Sequence, residues 1–250
     1  MESVSSVFKR NCHIDLRDVD FNKKLKLSTL FSYFQDVASL DAESHGFGIE
    51  TLEKKFGAAW VLTRIRVEII RMPSWDEEIT IETWALKPSK IEFNRDYLVK
   101  DANGNIIVRA VSKWVIMDIK ERKLKRTELV EFPFQVNITE RVMEGRLEKL
   151  KHFGKLEPAY KKIIGYSDID FNGHINNSKY VDYIMDCFQV EDLKNHSIQS
   201  IDINFNQEAL PGDSLALFKD ISKLDENIIY IEGENQSTQS VVFKSFIIIK

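Results

Sequence analysis

Apolar positions along this chain change period in a fixed order, and the order occurs twice. Residues 5–17 alternate loosely between apolar and polar, which predicts a strand. Leu30, Phe34, Val37 and Ala38 then recur at the spacing of one helix face, predicting a helix over 29–44 with Ser28 as its N-cap. His45-Gly46-Phe47-Gly48 breaks it, and a shorter helix is predicted over 49–56. Alternation returns at 58–71, 77–86, 91–100 and 105–118, four strands of β-branched and aromatic residues. Met72–Asp76 reads as a turn, and Asn103-Gly104 marks a hairpin. Residues 119–150 are rich in charge and read as a strand end followed by a connector. The order then repeats: a strand at 161–166, a helix, and strands at 198–208, 214–222, 227–233 and 239–249. The second helix carries Tyr180, Tyr183, Ile184, Cys187 and Phe188 on one face and Asp182, Asp186 and Gln189 on the other.

The repeat extends to residue identity. DVDFNKKLKLSTLFSYFQD at 18–36 matches DIDFNGHINNSKYVDYIMD at 168–186 without a gap. Asp18, Asp20, Phe21, Asn22, Ser28, Tyr33 and Asp36 recur as Asp168, Asp170, Phe171, Asn172, Ser178, Tyr183 and Asp186. Two copies of one domain is the plain meaning. A unit of one helix and an antiparallel sheet must bury one face of each, which it does by laying the sheet over its own helix. The expected organisation is therefore a first domain over 1–135, a connector over 136–155 and a second domain over 156–250. The turn Leu210-Pro211-Gly212-Asp213 resembles Met72–Asp76 and fits the same scheme.

The copies part where the chemistry is richest. Residues 168–177 hold two carboxylates, three carboxamides and one of the chain's five histidines, immediately before a helix whose first amides point outward. Lys24 stands where the second copy has His174, and Lys23 where it has Gly173. Asn176 or Asn177 suits the N-cap better than catalysis. Asp168 and Asp170 have a plain structural reading as turn residues, since Asp18 and Asp20 recur without the histidine.

Composition narrows the class. A net charge of −4 argues against a nucleic-acid binder. No apolar run approaches the roughly 18–20 residues of a membrane span. The first fifteen residues lack a secretory apolar region. Two cysteines far apart, Cys12 and Cys187, suggest a reducing cytoplasm. No Cys/His group has metal-ligand spacing, and neither a phosphate-binding Gly-rich loop nor a Gly-x-Ser-x-Gly elbow occurs, so neither metal nor cofactor is expected.

Several segments together resemble the acyl-acyl carrier protein thioesterase family of plants and bacteria. They are Trp60–Arg64, Arg71–Trp75, Thr83-Trp84, Arg95-Asp96, Ser112–Met117 and Ser167–Tyr180. The resemblance implies an α+β fold of two tandem hotdog domains, each a long helix wrapped by a curved antiparallel sheet. It implies hydrolysis of a fatty acyl thioester on acyl carrier protein, giving free fatty acid and holo carrier protein. Carried over by position, the family's catalytic residues fall on Asp170, Asn172, His174 and Glu208. Plant members commonly have a cysteine after that glutamate; here it is Ala209, so no thiol nucleophile is available there. Strict alternation would send Glu208 away from the face of Ile201, Ile203 and Phe205, so it reaches the site only if a bulge or the strand end re-aims it.

The resemblance leaves the division of labour open. His174 or Glu208 takes a proton from water, or Glu208 attacks the carbonyl itself. Asn172 orients water or carbonyl, Asp170 fixes the imidazole tautomer, and amides near 177–179 hold the oxyanion. The first domain, without the histidine, is assigned to the acyl chain. An acyl-coenzyme A thioesterase and a non-catalytic acyl-binding protein are the alternatives, and a monomer or a homodimer is equally compatible.

Overall fold

The computed structural model describes residues 7–130 and 141–250, which group into two compact units. The first unit takes most of the chain up to Leu147, and the second most of it from Glu148 onward. Residues 131–140, where the expected first domain ends and the connector begins, lie outside the described residues, as do 5 and 6 of the expected first strand.

In the first half, β1 (Phe8–His13) is followed by α1 (Leu27–Ser44), α2 (Ile49–Phe56), β2 (Ala58–Ile69), β3 (Glu78–Ala85), β4 (Phe93–Asp101), β5 (Ile106–Asp118) and the short β6 (Leu124–Lys125). The strands lie in the order β1-β3-β4-β5-β2, with β6 on β5. Pairing of β1 with β3, β3 with β4 and β4 with β5 is antiparallel. The predicted helix face is the buried one: Leu30, Phe34, Val37 and Ala38. Phe34 meets Tyr97 of β4 with ring centroids 4.8 Å apart. The helix begins at Leu27, so Ser28 sits inside the first turn and is not the cap. A second apolar cluster, Leu52, Ala58, Phe93, Ile116 and Val130, seats α2 beside the sheet.

Several polar groups buried in this unit are paired, although Trp84 Nε1 has no hydrogen-bond partner among the described residues. Asp41 of α1 and Arg95 of β4 are 4% and 6% exposed, and Arg95 donates to Asp41 Oδ2 at 2.7 Å and to Thr83 at 3.2 Å. Tyr97 and Trp114 share the Ser112 hydroxyl at 3.1 and 2.8 Å. Two buried charges repay their desolvation only when paired this closely.

In the second half, β7 (Glu157–Ile163) leads to α3 (Asn177–Met185), α4 (Val190–Asn195), β8 (Ile198–Phe205), β9 (Ser214–Lys223), β10 (Ile228–Asn235) and β11 (Ser240–Ile249). Their order, β7-β9-β10-β11-β8, is that of β1-β3-β4-β5-β2. Alternation predicts the first strand of this half at 161–166; the strand is Glu157–Ile163, and Tyr166–Asp168 forms a single tight turn instead. The helix is shorter than the long one expected. α1 has 18 residues and α3 has nine, ending where Lys219 of β9 donates to the Cys187 carbonyl at 3.1 Å and lies 5.5 Å from the Phe188 ring. A cation on the terminal carbonyls is a favourable helix stop. The short α4 has no counterpart among the predicted elements. In the core, Tyr180 packs on Phe205 and Phe243, and Gly233 lies opposite Phe243 across the β10–β11 ladder. A Cβ on Gly233 would come within 2.3 Å of the Phe243 ring, so the glycine is the space that ring occupies.

Stretches without strands are tied to each sheet by buried carboxylates. In the first unit, Arg141 and the Val142 amide bind Asp96 of β4, which is wholly buried. In the second, the Leu150 amide donates to Asn204, Phe153 stacks on Phe246, and the Phe153 and Gly154 amides donate to Asp220 at 2.8 and 2.6 Å. Part of the expected connector is therefore packed structure.

Two measurements test these buried acids. Arg95→Leu takes from the buried Asp41 carboxylate its nearest cation, leaving His45 at 3.3 Å, and lowers unfolding free energy by about 3–5 kcal/mol in chemical denaturation. Burial works to raise the Asp220 carboxyl, but its hydrogen bonds from Ser222, Gly154 and Phe153 hold it at about 2, below its ordinary 3.8. A depressed carboxyl contributes stability above its unfolded pKa and loses it as pH falls through the folded one. Acid titration of stability should show a loss between about pH 4 and pH 2 that Asp220→Asn reduces.

Candidate active site

The duplicated loop has the same construction in both halves. The Asp20 amide donates to the Lys24 carbonyl at 2.8 Å, and the Asp170 amide to the His174 carbonyl at 2.9 Å. Each aspartate also turns its side chain back: Asp20 Oδ1 accepts the Asn22 amide, and Asp170 Oδ1 the Asn172 amide, both at 2.8 Å. Closing so tight a loop needs a left-handed residue, which is Lys23 at φ 56° in one copy and Gly173 at φ 77° in the other. Short bridges then tie Val19 to Leu25 and Ile169 to Ile175.

Asp168 anchors the second loop. It is 3% exposed, accepts the Gly165 amide at 2.8 Å and pairs with Lys162 of β7 at 3.2 Å. Its carbonyl takes the Asn176 amide at 2.9 Å. Burial pushes its carboxyl up, yet Gly165, Tyr183 and Lys162 together hold it below the ordinary value. The helix cap is Asn176, whose side chain accepts from the Ser178 amide at 2.9 Å. Lys179 N–H is spent on the Asn176 carbonyl. Two of the amides expected to serve as an oxyanion hole are thus already committed to the cap.

Glu208 arrives from the other side. Strand β8 ends at Phe205, and the next two amides, Asn206 and Gln207, both donate to the Val242 carbonyl, at 2.8 and 3.2 Å. Two residues opposite one is a bulge, and it inverts the alternation of the residues beyond it. Glu208 is thereby turned to the helix side of the sheet. There its Oε2 lies 3.3 Å from His174 Nε2, with both side chains about one third exposed (31% and 34%). The same bulge closes β2, where the Ile70 and Arg71 amides share the Ile107 carbonyl. No hydrophobic period signals such a feature; three polar residues in a row, Asn206-Gln207-Glu208, are its only mark.

The structure therefore brings His174 and Glu208 into contact, with Asp170 shaping the loop between them and Asn172 exposed on it. The imidazole meets the Glu208 carboxylate, while Asp170 takes a backbone amide. Among the described residues, no three of His, Cys, Asp and Glu are placed to share a metal ion.

Comparison with known proteins gives the family. The model of the acyl-ACP thioesterase N-terminal domain matches residues 5–130, and that of the acyl-ACP thioesterase C-terminal domain matches 159–246. The chain belongs to the acyl-ACP thioesterase family. Oleoyl-acyl carrier protein thioesterase 2 of Arabidopsis thaliana, a chloroplastic protein, is 30% identical over 89% of this chain, and the oleoyl-acyl carrier protein thioesterase of Coriandrum sativum 30% over 82%. The matched part spans 65% and 60% of those two relatives. An acyl-ACP thioesterase from Bacteroides thetaiotaomicron superposes with a TM-score of 0.88, at 27% identity and 98% coverage of both chains. The 12:0-ACP thioesterase from Umbellularia californica does so at 0.86 and 21% identity, which speaks for the fold alone. The architecture expected for the acyl-ACP thioesterase family, an α+β double hotdog, is the one found.

The site's backbone demand is open to test. Nothing lies within 4 Å of a Cβ at Gly173, so substitution there meets only the strain of φ 77°. Gly173→Val should cost about 1–2 kcal/mol in thermal or chemical unfolding, and Gly173→Asn well under about 1 kcal/mol.

Proposed function

We propose that this protein hydrolyses fatty acyl thioesters of acyl carrier protein, releasing free fatty acid and holo carrier protein. The observation that carries the reading is the His174–Glu208 contact at 3.3 Å, in the half of an acyl-ACP thioesterase family member that keeps these residues. The matching positions of the first half hold Lys24 and, after the shared bulge, Met72.

The chemistry needs little else. A thiol's pKa of about 8.5 makes thiolate a good leaving group, so the demands are to activate water and to polarise the carbonyl. In this reading Glu208 orients the imidazole and stabilises its charge, and His174 Nε2 or the carboxylate itself removes a proton from water. Water adds to the carbonyl carbon, the C–S bond breaks, and the proton held by the dyad returns to the departing sulfur. The Asn172 side chain, exposed on the loop, orients the water or the carbonyl. Asp170 holds the loop that presents both residues. The first half serves the acyl chain, and the carrier protein is the partner. The two cysteines, both free, suit a reducing cytoplasm. No helix here is long and apolar enough to cross a membrane among the described residues.

The test is acid release from medium- and long-chain acyl carrier proteins and the matched coenzyme A esters. Wild type should turn over the carrier substrates faster, and His174→Ala should lower kcat by about 10²–10⁴-fold. Turnover of the coenzyme A esters alone would select the coenzyme A reading, and tight binding without turnover an acyl-binding protein. Exhaustive chelation should leave the rate unchanged.

A further inference from the structure

Both halves place a carboxylate at the foot of the duplicated loop, in one common frame. Ile14 N–H donates to the Glu77 carbonyl, and Ile164 N–H to that of Asp213, each at 3.0 Å. The Asp18 and Asp168 carboxylates accept the Asp15 and Gly165 amides, at 3.1 and 2.8 Å. These pairs keep the gapless offset of the repeat, so Tyr183 stands at the position of Tyr33 and Lys162 at that of Cys12.

The side chain that meets each carboxylate comes from a different element. In the first half it is a phenol of α1: the Tyr33 hydroxyl donates to Asp18 Oδ2 at 3.1 Å, while the exposed Arg17 guanidinium stands 3.9 Å from the other oxygen. In the second half it is an ammonium of β7: Lys162 Nζ lies 3.2 Å from Asp168 Oδ2 and 5.4 Å from the centre of the Tyr183 ring. Tyr183 is 2% exposed, and its hydroxyl has no hydrogen-bond partner among the described residues. A buried phenol left unpaired costs free energy that the first half avoids. The tyrosine that could tie the loop to the helix is present in both halves. Only in the half with His174 and Glu208 is the carboxylate tied to the sheet instead.

We propose that Lys162 is a positioning residue, whose ammonium ties the Asp168 end of the loop to the sheet and so keeps His174 against Glu208. Both members of the dyad then share one reference. Lys162 sits on β7, opposite Leu215 of β9, and Glu208 follows β8 of the same β7-β9-β10-β11-β8 order. Asp168 carries the tie into the loop. Its carbonyl takes the Asn176 amide, the next residue, Ile169, bridges to Ile175, and His174 immediately precedes that bridge. The carboxylate side chain is 4% exposed and that of the lysine 27%, with the Tyr183 ring beside the ammonium. So placed, the pair escapes most of the screening that weakens surface ion pairs. A stiff, charge-assisted tie is what a single side-chain contact at 3.3 Å requires of its support.

The proposal rests on the thioesterase reading, and the test separates the two. Lys162→Met keeps the stem and removes the cation. It should lower kcat about tenfold or more with KM changed less than about twofold, while in a Glu208→Gln background the same change should cost less than about threefold. Lys162→Cys, which installs the residue the first half carries as Cys12, should reproduce the loss if Lys162→Met folds poorly. Aminoethylation of that variant restores an ammonium at nearly the original reach and should recover most of the rate, whereas the neutral carbamidomethyl group should not; wild type treated alike controls for Cys12 and Cys187. An equal fall in both backgrounds, no fall, or equal recovery with the neutral group overturns the proposal. Nitrogen-15 NMR of the His174 imidazole gives an answer without turnover: Lys162→Met should move its Nε2 signal toward that of Glu208→Gln, and an unmoved signal overturns the proposal. Should wild type hydrolyse no thioester, the thioesterase reading fails while this measurement still decides the role of Lys162.

Discussion

The buried Asp168 carboxylate is the constraint on which the second half depends. It joins β7 through Lys162, closes the tight turn through Gly165, and by its carbonyl sets Asn176 as the cap of α3. Asp18 does the corresponding work in the first half, accepting from the Asp15 amide and the Tyr33 hydroxyl at 3.1 Å. A carboxylate this buried is stable as an anion only while all its donors are present. The loop between strand and helix is accordingly held in one conformation, and whatever residues occupy its tip inherit a fixed direction. Lys24 and His174 are two such occupants of one frame.

Much of this is legible in the sequence because it lies in local patterning. The gapless repeat from 18 to 36 and 168 to 186 reveals the duplication, and the helix faces come from spacing alone. Equivalence of the loops survives to individual hydrogen bonds at Asp20 and Asp170. The features that escape detection depend on contacts distant in sequence. The end of α3 is set by Lys219, over thirty residues on, so periodicity runs the helix too far. Ser28 looks like a cap by residue type, but the helix starts at Leu27, two residues sooner than expected. Glu208 turns inward because two amides share the Val242 carbonyl, a pairing with a strand that no local pattern of 206–208 reveals.

The amides at the start of α3 illustrate a competition between scaffold and chemistry. A helix N-terminus offers unpaired donors, which makes it an attractive place for a developing negative charge. Here Asn176 claims the Ser178 and Lys179 amides for itself. Rigidity at the loop and free donors at the helix are alternatives for those groups, and this chain has committed them to rigidity. Among the loop's side chains, Asn172 is an exposed carboxamide.

The stretches around Arg141–Leu147 and Leu150–Gly154 bear on any recombination of halves between such proteins. They have no regular structure, and a crossover point would naturally be sought there. Yet Asp96 is neutralised by Arg141, Arg64 reaches the Leu147 carbonyl at 2.6 Å, and Asp220 is satisfied by Phe153 and Gly154. A chimera spliced inside either stretch would bring a sheet without the residues that cover its acids. The exchangeable module is the sheet together with its own covering segment, and the seam belongs between Leu147 and Leu150.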